Sequence, residues 1–152
     1  MINLREQPMN TNINSTIISQ TCQLLVAHIR NLLEAGYNSN SRLFSHMLHP
    51  EKDFVFAGKS IAVTAETPTH PEHVVPCAFM IKEIQRMIKD GAQDEQIASL
   101  LNKHWKVATI TKEEQQRLDF KLGYKSTMPP EWRFEDGDTF KRFELADITI
   151  VS

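Results

Sequence analysis

Three prolines fall within nine residues in the middle of this chain, in the run Thr67-Pro68-Thr69-His70-Pro71-Glu72-His73-Val74-Val75-Pro76. Proline lacks the backbone N–H that a helix interior needs, and it drives the residue before it towards extended backbone. No helix passes through this stretch. The chain is expected to break at 67–71, and Glu72–Pro76 reads as a short extended segment with Val75 extended. On both sides, apolar residues recur at the helical period. The chain is therefore neither all-helical nor all-strand, and a single α+β domain is expected.

Local signals fill in the elements. Asn14 or Ser15 is expected to cap a first helix whose apolar positions are Ile17, Thr21, Leu24, Leu25, His28 and Leu32, with Gly36 as its stop. Residues 1–13 read as a flexible arm and 14–152 as the domain. Phe54-Val55-Phe56 and Ile61-Ala62-Val63-Thr64 flank Ala57-Gly58-Lys59-Ser60, which predicts a β-hairpin. Phe79, Met80, Ile84, Met87 and Ile88 form a stripe on a helix from about Cys77 to Asp90. A shorter helix is expected from Asp94, as cap, to about Lys103. Lys106–Ile110 reads as a strand. Thr111, with Glu114 three residues on, predicts a capping box opening another helix that carries Leu118 and Leu122 and ends at Gly123. Met128-Pro129-Pro130-Glu131-Trp132 is irregular and is expected to pack its indole on the body. Asp147–Val151 alternates like a terminal strand.

Composition narrows the class of protein. The 152 residues carry 17 basic and 19 acidic side chains, a net charge of −2. That balance excludes a strongly basic nucleic-acid coat, though not a local basic patch, and it excludes an acidic solvating tail. No apolar run approaches the roughly 20 residues of a membrane span. The start, Met1–Pro8, has no basic stretch leading into an apolar run, so no secretory leader is expected. Cys22 and Cys77 lie in apolar contexts with no second Cys at zinc-ligand spacing. They read as buried thiols of a cytoplasmic protein, a single disulfide being the alternative.

Glu72-His73-Val74-Val75-Pro76 resembles the first motif of the HNH, or ββα-metal, nucleases: a His closing a strand, preceded by an acid and followed by an apolar pair and Pro. The strand at 107–110 and the helix from Thr111 to Asp119 resemble the second half of that fold, so the likeness spans about 72–119. The resemblance implies a strand-helix-strand-helix core, DNA or RNA as partner, and phosphodiester hydrolysis with one divalent ion (Mg, Mn or Zn). It implies His73 as general base, Glu72 and Glu114 as metal ligands, and Asn102 as the bracing Asn. Gln115 stands where the family's helix carries a His.

Other groups have two readings each. Lys103, Trp105 and Lys106 suit base stacking and phosphate contact, or a core Trp between solvated lysines. Arg117, Lys121 and Lys125 recur at four-residue spacing, giving a basic helix face for a phosphate backbone or a solvated face. His46 and His49, three apart, would share a helix face. Trp132, Glu135, Asp136 and Asp138 suggest the rival function: a non-enzymatic binding protein whose partner is a protein complex, such as a phage or mobile-element inhibitor of a CRISPR-type host defence. The plain alternative is a polar turn beside Trp132.

Overall fold

Helix α1 (Met9–Glu34) opens the computed structural model, which describes residues 9–152 with side chains from Ile13 onward. The expected arm at 1–13 lies outside the described residues as far as residue 8, and the helix has begun by Met9 rather than at Asn14 or Ser15. Its buried positions are Thr21, Cys22, Leu25, Val26 and Ile29. The spacing is helical, but the stripe is turned by one residue from the expected one. Leu24 is 62% exposed and His28 also faces outward. The buried face packs on α4 (Cys77–Lys89) and on α5 (Asp94–His104), and Arg30 at its edge binds Asp94 at 2.6 Å. That contact takes the carboxylate expected to cap α5, whose N-cap position is Gln93 without a side-chain bond.

After the short helices α2 (Leu43–Met47) and α3 (Lys52–Val55), strand β1 runs Phe56–Ser60. The expected hairpin does not form, because β1 occupies the segment read as its turn. Gly58 explains the change. It sits at φ +123°, and a Cβ there would lie 2.2 Å from the carbonyl oxygen of Val151. Only glycine lets β4 (Ile150–Val151) come that close. β1 pairs antiparallel with β4 and parallel with β3 (Val107–Thr111).

Strand β2 (Thr69–His73) pairs antiparallel with β3, and the sheet order is β2-β3-β1-β4. The chain does not break at Pro71, which lies inside β2 opposite Thr109. β2 is an edge strand, and an edge tolerates a residue without an N–H. α4 (Cys77–Lys89) and α5 connect β2 to β3. α6 (Lys112–Gln116) starts with the expected capping box: Glu114 N donates to Thr111 Oγ1 at 3.0 Å, and Thr111 N donates to Glu114 Oε1 at 2.9 Å. A π-helical turn follows (Arg117–Lys121), then α7 (Lys141–Leu145).

Two apolar clusters back the sheet. Val107 packs with the larger one, formed by α1, α4, α5 and Trp105. Ala108 and Ile110 point the other way, onto Leu118, Phe143 and Ile148. The result is a small single-domain α+β fold with a four-stranded sheet. Among the described residues no helix is long and apolar enough to cross a membrane.

Candidate functional site

Successive residues of a strand face opposite sides of the sheet, so Glu72 and His73 part company at the end of β2. His73 lies opposite Val107 and faces the larger cluster, while Glu72 lies opposite Ala108 and faces the smaller.

On the first side, His73 Nε2 is 2.6 Å from Glu51 Oε2. The same oxygen accepts the indole N–H of Trp105 at 2.8 Å. Trp105 is wholly buried, edge-on to Phe44 with ring centroids 5.1 Å apart. Glu51 is nearly closed off at 11% side-chain exposure, and His73 keeps 31%. Burial pushes the Glu51 carboxyl up, but the His73 hydrogen bond and charge, the Trp105 bond and nearby His49 outweigh it and hold the group below the usual carboxylate range. An ionised Glu51 only accepts hydrogen bonds. Nε2 therefore carries a proton towards Glu51, and Nδ1 is the ring nitrogen turned away from it. Nδ1 has no protein partner among the described residues. The His73 side chain is 31% exposed, so the ring reaches solvent on the side away from Glu51. The arrangement is a buried carboxylate steering an imidazole whose basic nitrogen faces out. Beside it, the Cys77 thiol is pushed up by burial and by Glu51 and Glu72, so it stays protonated. Cys22 is pushed up to about 12, mainly by burial, and both cysteines are free.

On the second side, Glu72 Oε2 accepts from Arg142 Nη2 at 2.9 Å, and its other oxygen lies 3.4 Å from His70 Nε2. The Arg142 side chain is completely buried. It also donates to the carbonyl oxygens of His73 at 2.6 Å, Tyr124 at 2.7 Å and Val74 at 3.4 Å. Glu114 is elsewhere. It closes the α6 cap and accepts from Ser60 Oγ at 2.8 Å, at the Thr69–Thr111 end of the ladder. Four residue steps separate that end from His73, roughly 13 Å along the strand. The fold thus does not bring Glu72, His73 and Glu114 around one point. Among the described residues no group of three His, Cys, Asp or Glu side chains is arranged to hold a metal ion.

The expected nucleic-acid contacts are scattered. Trp105 is sealed in the core and cannot stack a base. Lys106 is half-buried, its Nζ donates to Asn102 O at 3.3 Å, and burial lowers its pKa. Lys103 is exposed. Arg117 donates to the carbonyl of Ala146, while Lys121 is exposed at the end of the π-helical turn. That turn breaks the four-residue spacing, so no continuous basic face runs on to Lys125. The acidic group is largely paired within the chain. Glu135 meets Arg86 at 2.7 Å, Arg133 lies 3.9 Å from Asp136, and Asp138 accepts from Phe140 N at 3.0 Å. Trp132 packs on the body as expected, edge-on to Phe79 and His104, with its N–H on Asp138 O at 2.8 Å.

Sequence reasoning missed Glu51 and Arg142. They lie 22 and 69 residues from His73, and neither belongs to a motif. Comparison of the chain with protein-family models, curated proteins and solved structures finds no match.

Proposed function

We propose that this chain acts on nucleic acid as an HNH-like protein, with His73 as the proton-transfer group in phosphodiester cleavage. The observation that carries the reading is the solvent-reaching His73 ring, fixed through Nε2 to the buried Glu51 carboxylate at 2.6 Å. Its setting adds support: β2 pairs antiparallel with β3, and β3 leads directly into α6, the paired strands and following helix of the resemblance, although two helices, α4 and α5, stand between the strands. Chemically, Nδ1 takes the proton from the attacking oxygen. Glu51 holds the ring in the productive tautomer and stabilises the imidazolium that forms.

A positioned general base contributes about 10²–10⁴-fold to rate. Labelled single- and double-stranded DNA and RNA are the substrates to test. His73→Ala is expected to lower cleavage by about that factor while retaining a cooperative melt. Glu51→Gln is expected to lower it less, because the ring remains but its tautomer is no longer fixed. Cleavage equal in His73→Ala and the parent, or no cleavage by the parent, overturns the reading.

A further inference from the structure

The HNH resemblance calls for a divalent ion beside the acid that precedes the histidine. In this chain a cation is already there, and it belongs to the protein. We infer that Arg142 occupies the position at Glu72 where the resemblance puts the divalent ion, on the sheet face opposite the His73 ring, so that the Glu72–His73 pair binds no metal. The inference rests on the HNH-like reading of His73 given above.

Three observations lead to it. First, the carboxylate is engaged: Glu72 Oε2 is 2.9 Å from Arg142 Nη2, and the pair is almost closed to water, with side-chain exposures of 11% and 0%. A metal ion on Glu72 would have to displace that contact and leave a buried guanidinium without its counter-charge, which is strongly unfavourable. Second, the nearest backbone oxygens already face the guanidinium. The carbonyls of His73 and Val74 both accept from Arg142. Magnesium needs six ligands in near-octahedral array, and calcium six to eight. Third, the remaining expected ligand, Glu114, serves the α6 cap and Ser60 at the far end of the ladder.

The replacement has a consequence for His73. Arg142 grips its carbonyl at 2.6 Å from one face of the sheet, and Glu51 grips its ring at 2.6 Å from the other. A metal centre holds a neighbouring histidine only while the ion is bound. Here α7 carries the clamp permanently.

The test is thermal melting of the full chain with MnCl2, MgCl2 or ZnCl2, and with EDTA. A specific site at a hundred times its dissociation constant raises the midpoint of a chain this size by roughly 5–10 °C. The expected result is no rise, together with cleavage insensitive to EDTA. A rise of that size that disappears in Glu72→Gln overturns the inference. Arg142→Ala frees Glu72, and a manganese-dependent rise in that variant but not in the parent supports the inference. Should Arg142→Ala not fold, the parent and Glu72→Gln decide alone. Melting needs no activity, so absence of cleavage, which defeats the nuclease reading, is distinguishable from metal binding, which defeats this one.

Discussion

Glu51 shows how much can depend on one oxygen atom. Its Oε2 serves both the Trp105 indole and the His73 ring. In Glu51→Ala the Trp105 N–H stays buried without an acceptor, at a cost of about 1–3 kcal/mol, measurable as a lower urea midpoint. The pH dependence has a definite sign. The folded-state pKa lies below the free value of 4.5, so the unfolded chain takes up this proton first as the solution is acidified. The contribution of Glu51 is complete above pH 4.5 and is lost as pH falls through the folded value. Glu51→Gln should therefore weaken the pH dependence of stability below 4.5. Urea unfolding at stepped pH measures it, and an unaltered acid limb would contradict the pairing.

At the scale of elements, the C-terminal segment is fastened by an uncharged histidine. His104, at the end of α5, is fully buried. Its Nε2 lies 2.9 Å from Phe134 O and its Nδ1 2.9 Å from Thr139 Oγ1. A carbonyl can only accept, so Nε2 donates and the Thr139 hydroxyl donates to Nδ1. Burial lowers the His104 pKa, and the bond to Phe134 opposes this only in part. The stability it lends is present above the free value of 6.5 and lost as pH falls through the folded value. Hydrogen-exchange protection factors around Phe134 and Thr139, corrected for the intrinsic rate, should fall on mild acidification. Equal protection on both sides of pH 6.5 would refute the neutral latch. Gly58 fastens the opposite side of the sheet. Gly58→Ala forces a Cβ into the Val151 carbonyl at φ +123°, and should cost about 3 kcal/mol or more in urea unfolding. These two features mark the limit of what sequence reveals. α4, α5, β3 and the Thr111–Glu114 box were legible, because periodicity and capping are local. The phase of α1 was not, because the face it buries is chosen by packing against α4 and α5, far along the chain. β1 was not, because its partners are residues 107–109 and 150–151. The candidate site divided in the same way. His73 announced itself through the Pro-terminated motif, whereas Arg142 reaches Glu72 across 70 residues of sequence with no local signal.

For the whole molecule, the question is whether two apolar clusters on opposite faces of one sheet melt together. Val107 belongs to one and Ala108 to the other, so a single strand is shared between them. Arg142 adds a second tie. It sits beside Phe143 of the smaller cluster and bonds the carbonyl of His73, whose ring turns to the larger one. Shared backbone and a shared buried guanidinium argue for one cooperative unit. Leu118 tests this, since it is fully buried in the smaller cluster. Leu118→Ala should cost about 2–5 kcal/mol. Both Trp105 and Trp132 pack with the larger cluster, so indole fluorescence reports the face that the substitution does not touch. In a single cooperative unit the fluorescence midpoint falls by as much as the far-ultraviolet circular dichroism midpoint. If fluorescence held its original midpoint while dichroism shifted, the clusters would be melting separately, and Arg142 would not couple α7 to the His73 side of the sheet.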